Sequence, residues 1–211
     1  MDVYQTEEQQ VDAIKAYWKK NGNAIIAGLV IGFSGFIGFN LYKDNQNENE
    51  LAIAEQYQSV LEASTQDEKA FSEAATKFVA DNGDSNYATL AALALAKEVS
   101  VHKDWPQVEK HLATAVANAK DEGIKAIATV RLARVQVQQD NFDGALNTLS
   151  ATLPESFNAA VEEIKGDIYV KQGKNELARN AYQAAVTAGG SATSSALQMK
   201  LDDLAVATNL N

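Results

Sequence analysis

Two patterns of hydrophobic and polar positions divide the chain. From Ala24 to Leu41 eighteen consecutive residues carry no charge and are mostly apolar, whereas beyond Tyr42 apolar residues recur three and four positions apart among polar and acidic ones. The first pattern predicts a membrane-spanning helix. Eighteen residues cover about 27 Å as an α-helix, close to the roughly 30 Å hydrocarbon core of a bilayer. Tyr17 and Trp18 before the run and Tyr42 after it stand where aromatic rings favour the headgroup layer. The rival reading is a core helix of a soluble protein, and five glycines from Gly22 to Gly38 speak against it.

The second pattern predicts amphipathic helices, and strand signals are nearly absent. Helices are expected at 11–20 running into the apolar span, then at 50–63, 67–80, 87–101, 106–119, 124–139, 143–152, 157–172, 176–188 and 195–207. Asn82-Gly83-Asp84, Asp104 ahead of Pro106, Asp121-Glu122-Gly123, Asp140-Asn141, Pro154, Gly173 and Gly189-Gly190 supply the caps and turns between them. The expected organisation is an amphipathic tail at 1–22, a transmembrane helix at 23–42, a polar hinge at 43–49 and a helical domain at 50–211.

Flanking charge orients the span. Lys15, Lys19 and Lys20 precede it, while Lys43 on the far side stands among Asp44, Glu48 and Glu50. Positive charge stays inside, which predicts a cytoplasmic amino tail and a translocated carboxyl domain. A cleavable signal peptide shares this outline but fits less well, because the apolar run exceeds the usual signal length and no small-x-small cleavage site follows Leu41.

The helices of the carboxyl domain carry an internal repeat. On the tetratricopeptide template Gly166, Tyr169, Gly173, Ala178, Tyr182 and Ala185 fall on the small, aromatic, turn-glycine, alanine, aromatic and alanine positions. A second copy places Leu132, Ala133, Phe142, Ala145 and Leu149 in register, and a weaker third places Leu95, Ala96, Trp105, Val108, Leu112 and Ala115. Such spacing puts small residues where two helices cross closely and larger ones between successive hairpins. The fold class expected is therefore all-α: one N-terminal transmembrane helix followed by a tetratricopeptide-like α-solenoid of helical hairpins. Chance matches within a generic helical bundle are the alternative, and a bundle offers no curved groove.

Composition narrows the chemistry. With 28 acidic and 18 basic residues the formal charge is −10, and no basic run is apparent, which argues against a reader of nucleic-acid phosphates. The absence of cysteine removes disulfides, thiol catalysis and thiolate metal sites together. His102 and His111 are nine positions apart, without the spacing of a zinc helix, and both read as surface histidines. Glu162-Glu163 and Asp202-Asp203 are adjacent pairs whose side chains diverge by about 100° on a helix and so share no site. No catalytic residue, metal site or cofactor is expected.

What remains is binding of partner proteins. The first helix of each hairpin in such solenoids lines the concave surface, where an extended peptide or a partner's helix is received. Template register assigns to that face Lys97, Ser100 and Val101, then Val130, Arg134, Val137 and Gln138, then Glu163, Asp167, Val170 and Lys171. In the apolar span Ala24, Gly28 and Gly32 recur every four residues, with Ser34 and Gly38 as a second small pair, so two faces of the helix would admit close packing of another transmembrane helix.

Asp2-Val3-Tyr4 with Glu8-Gln9-Gln10-Val11-Asp12-Ala13-Ile14-Lys15 and Lys20-Asn21-Gly22, the block from Arg131 to Gln139, and the stretch from Gly166 to Val186 together resemble the YfgM family of ancillary SecYEG translocon subunits, over nearly the full length. The resemblance implies a single-span inner-membrane protein with a periplasmic tetratricopeptide-like domain, associated with SecYEG and with the membrane-anchored periplasmic chaperone PpiD. It further implies help to secreted chains leaving the channel. A cytoplasmic response regulator held by residues 1–20 is a second implied role, and a holdase acting directly on unfolded clients is a third alternative.

Overall fold

The computed structural model describes residues 7–65, 67–190 and 194–208; the motif Asp2-Val3-Tyr4 lies outside them. Among the described residues there are nine α-helices, one 3-10 turn and no strand. The chain forms two compact units, Met1–Ala52 and Ile53–Asn211.

The first unit consists of helix α1, Glu7–Ala63, whose last residues belong to the second unit. Its most apolar eighteen-residue window has a mean hydropathy of 2.0 and none of it is buried. Ile31, Phe33, Phe36 and Phe39 all stand exposed. The helix is long and apolar enough to cross a membrane, and so much uncovered apolar surface suits hydrocarbon better than water. The segment 43–49, expected as a hinge, is helical throughout. Nothing in it breaks a helix: it holds no glycine or proline, and the Gln46 amide donates to the Tyr42 hydroxyl one turn back at 2.7 Å. Polarity there marks a solvated helix, not an interruption.

The second unit continues with α2 (Glu68–Asp81), α3 (Asn86–Val101), α4 (Trp105–Asn118), α5 (Glu122–Gln138), α6 (Phe142–Thr148), α7 (Asn158–Lys171), α8 (Asn175–Thr187) and α9 (Ala196–Thr208). Each expected helix is present, and Asp104, Asp121 and Asn141 start helices as the sequence indicates, joined by Asp67 and Ser85. Asp67, Ser85, Asp104, Asp121 and Asn141 each accept a hydrogen bond from the backbone N–H three residues on, satisfying a donor that the helix itself leaves unpaired. Helix α6 ends earlier than expected, at Thr148. The chain then passes Pro154, which has no N–H to give, and a 3-10 turn at Glu155–Phe157 before α7 begins.

Helices α3, α5 and α7 end alike. Lys103 (φ 58°), Asp140 (φ 56°) and Gly173 (φ 71°) adopt the left-handed conformation just after them. The residues that follow Asp140 and Gly173 close the helix end, Asn141 N–H reaching the Gln136 carbonyl and Lys174 N–H the Tyr169 carbonyl, both at 2.8 Å. Three hairpins result, α3/α4, α5/α6 and α7/α8, with α2 packed before them and α9 after.

Packing runs from hairpin to hairpin through linked apolar clusters. Val60 of α1 joins Phe71, Phe78 and Leu95. Ala96, Leu112, Ala128 and Leu132 form the next cluster, Ala133, Leu149, Ile164 and Ile168 the third, and Ala178, Tyr182, Ala185, Leu197 and Leu204 the last. Close crossings fall at small residues: Ala115, Ala133, Ala145, Ala178 and Ala185 are fully buried. Gly166 is the tightest point, since a Cβ built there would overlap the Tyr182 ring.

Two substitutions test this account. Gly166→Ala gains helix propensity but forces the Tyr182 ring aside, and a net destabilisation of about 1–2 kcal/mol is expected in thermal or urea unfolding of the full chain in detergent. Lys103→Gly relieves a left-handed residue with a Cβ and should stabilise by about 0.5–1 kcal/mol; an unchanged or lowered midpoint would refute the reading of that turn.

Candidate functional site

The first helices of the hairpins each leave one narrow stripe uncovered. On α5 the residues exposed after its first turns are Ile127, Arg131, Arg134 and Gln138, one row along the helix; between them Ala128, Thr129, Val130, Leu132, Ala133, Gln136 and Val137 are buried. The equivalent row on α3 runs Leu90, Ala94, Lys97 and Val101. Both helices pack against α4, and the space between them is a groove of about 600 Å³. Val108 and Leu112 of α4 floor it, and Leu90, Leu93, Ile124 and Ile127 line its walls together with Lys97, Ser100, Arg131 and Arg134.

Of the residues assigned to the concave face by sequence, Lys97, Ser100 and Arg134 meet in this groove. Gln138, Val170 and Lys171 are exposed outside it, and Lys171 approaches Asp140 at 3.5 Å. Val130 and Val137 do not belong to a surface. They are 5% and 8% exposed and pack with Ala133, Ala145, Leu149 and Ile164, because α5 is covered by α4 on one side and by α6 and α7 on the other. The exposed groove residues that sequence register missed are Arg131 and Ile127. The pair Arg131-x-x-Arg134 was the available signal, two guanidiniums one turn apart on one helix face.

Glu163 and Asp167 are present on α7 but are already engaged. Lys200 of α9 places its ammonium 2.8 Å from Glu163 Oε1 and 2.7 Å from Asp167 Oδ1, over the Tyr182 ring at 5.7 Å. The Tyr182 hydroxyl donates to Asp167 at 2.7 Å and the Ser194 hydroxyl to Glu163 at 2.9 Å. Burial alone would raise the pKa of Glu163, but the hydrogen bonds from Lys200 and Ser194 and the charges of Lys200 and Arg134 hold it below the ordinary value. Burial opposes charge on Lys200 too, and its two carboxylate partners overcome that and raise its pKa. Burial first, then the bond to Asp167, raises the Tyr182 phenol far out of the titratable range. Lys200, the single basic residue of the 195–207 stretch, thus fastens α9 to α7.

Elsewhere polar groups close on one another. Both oxygens of Glu109 accept from amides, Gln136 at 3.0 Å and Gln139 at 2.7 Å, and Thr148 donates to Gln136 at 2.8 Å, tying α4, α5 and α6. His102 lies 2.7 Å from Glu68 and is exposed, whereas His111, read as a surface residue, is half-buried, and that burial lowers its pKa. A second cavity of about 630 Å³ opens between α5, α6 and the 150–154 loop, lined by Glu122, Lys125, Thr129, Asn147 and Pro154.

On α1 a Cβ built at Gly28, Gly32 or Gly38 meets nothing within 4 Å, and Ala24 and Ser34 are exposed beside them. Gly22 differs, because the Trp18 indole lies against it at 3.4 Å from a built Cβ.

Comparison with known proteins bears on the whole of this architecture. Residues 15–206 match the model of a family described as tetratricopeptide repeat-like domain. A Haemophilus influenzae protein named ancillary SecYEG translocon subunit is 33% identical over 198 residues, covering 94% of this chain and 97% of that one. Proteins of the same name from Escherichia coli K12 (31% identical, 98% of this chain and 100% of the relative) and Neisseria gonorrhoeae (28%, 97% and 100%) align over 207 and 209 residues.

The Lys200 contact sets a pH window. Lowered in the folded state, the Glu163 pKa contributes stability that is present above its ordinary 4.5 and is lost as pH falls; raised, that of Lys200 contributes stability present below 10.5 and lost as pH rises beyond its folded value. Lys200→Met should therefore loosen α9 by about 1–2 kcal/mol between roughly pH 5 and 10, read as faster backbone hydrogen exchange, and the difference from wild type should close below pH 4.

Proposed function

The chain belongs to the YfgM family of tetratricopeptide repeat-like proteins, and from that membership we propose that it is a membrane-anchored, non-enzymatic ancillary subunit of the SecYEG translocon. The near end-to-end match to relatives that bear this name carries the reading. It is supported by an uncovered apolar helix in one unit and, in the other, by a hairpin array whose exposed face holds a groove suited to a protein ligand.

In this reading residues 23–42 cross the inner membrane, residues 1–22 stay in the cytoplasm beside Lys15, Lys19 and Lys20, and the domain from 50 onward stands in the periplasm. The helix holds the domain beside the channel, and the groove docks a periplasmic chaperone of the PpiD kind, so that secreted chains meet the chaperone as they emerge. Small residues at Ala24, Gly28, Gly32, Ser34 and Gly38 give the helix faces on which a translocon helix can approach closely.

Affinity-tagged full-length chain, extracted from membranes in mild detergent, should co-purify SecYEG, and Gly28→Leu with Gly32→Leu should lower that yield several-fold while leaving insertion intact. Protease added outside spheroplasts should digest the domain beyond residue 50. Absence of SecYEG from the purified material, or a domain protected until the inner membrane is breached, would refute the proposal.

A further inference from the structure

The groove between α3 and α5 has a direction. Each helix packs against α4 through a short loop and so runs antiparallel to it, which makes α3 and α5 parallel to one another. Along both, apolar residues come first and cations later: Leu90, Leu93 and Ala94 precede Lys97, and Ile124 and Ile127 precede Arg131 and Arg134. One end of the groove is therefore apolar and the other cationic, over a length of roughly 10 to 15 Å at helical rise.

The cationic end has no internal counter-charge in contact. No carboxylate lines the groove, and none of the Lys97, Arg131 and Arg134 side chains forms an ion pair with a described residue. On the neighbouring first helix Glu163 and Asp167 are bonded to Lys200, and Arg134 acts on Glu163 through its charge without forming an ion pair with it. In a chain of formal charge −10, three cations without an ion pair among the described residues, gathered from two helices onto an apolar floor, are a local reversal of sign. At physiological salt charges are screened over about 8 Å, so an approaching ligand responds to these three and not to the whole.

We propose that this groove receives an amphipathic segment of a partner protein that carries apolar side chains at one end and clustered carboxylates at the other. The inference rests on the reading of the groove as a partner-docking surface and adds the chemistry of what docks. The apolar end gives burial and the guanidiniums of Arg131 and Arg134 take carboxylates in bidentate fashion, which fixes the polarity of the bound segment. An apolar floor favours this occupant over a nucleic-acid backbone, which would call for charge along the whole length.

A fluorescein-labelled peptide of about 14 residues serves as the probe, built on alanine and glutamine with leucines on one face of its first two turns and glutamates on the same face of its last turn. A counterpart replaces the glutamates with lysines. By fluorescence anisotropy at physiological salt, full-length protein in detergent should bind the glutamate peptide on the order of tenfold more tightly than the lysine peptide. The triple variant Lys97→Glu, Arg131→Glu, Arg134→Glu should invert that preference, and its capture of the lysine peptide shows that it is folded. Ile127→Asp should weaken both peptides. No binding of the glutamate peptide, a preference that the triple variant leaves unchanged, or tighter binding of a labelled oligothymidine of equal length would overturn the proposal. Those results with SecYEG co-purification intact would leave the translocon reading standing; loss of co-purification with the peptide preference intact would do the reverse.

Discussion

Close approach of helices at alanine and glycine is the constraint on which the domain depends. A hairpin whose two helices meet at Ala133 and Ala145, or at Gly166 against the Tyr182 ring, has no room for a larger side chain at the crossing, and this fixes both the depth and the rotation of each pair. Fixed rotation in turn decides which residues of the first helix face its partner, which face the next hairpin and which are left over. The groove is made of what is left over. A methyl group at Gly166 would act on α7 and α8 directly and, through Ile164 and Ile168, on the cluster shared with α5.

The same geometry explains what was legible in the sequence and what was not. The helix starts at Asp104, Asp121 and Asn141 were plain, because an Asp or Asn cap is a local hydrogen bond three residues long and needs no tertiary context. The small and aromatic template positions were equally plain, since Ala178, Tyr182 and Ala185 are fully buried or nearly so, as their register requires. The uncovered stripe was harder. On a helix packed on two sides it is one residue wide, and an error of one position moves a residue from surface to core. Arg134 and Gln138 are exposed, while Val130 and Val137, in the adjacent row, fall into the interior. Aliphatic character at those two positions was the sign of burial, and the arginine at 131 marked the exposed row.

Long-range pairing was not legible at all. Nothing in the order of residues ties Lys200 to Glu163 and Asp167, or gathers Lys97 with Arg131 and Arg134, because each grouping joins different helices. Reading charge along the chain gave a uniformly acidic domain without a basic run. Folding sorts those charges instead: Glu163 and Asp167 of α7 are bonded to Lys200 of α9, both oxygens of Glu109 are held by amides between hairpins, and three cations are left facing a groove. Net charge therefore describes how the domain repels other acidic bodies at a distance, and the groove describes what it accepts on contact.

A groove of this size, with three solvent-facing cations and a short apolar floor, gives modest affinity by itself, because exposed charge pairs contribute little and ordering a flexible segment costs about as much as several of them return. The proposed anchor changes that balance without adding a contact. Confinement to the membrane beside a partner that is itself membrane-held turns capture into a nearly intramolecular step, with an effective concentration in the millimolar range for short tethers. Weak, polarised docking on a fixed scaffold then gives occupancy with rapid release, which is what a site must offer if successive segments are to pass through it. A tight groove would hold its first occupant and close the route to the next.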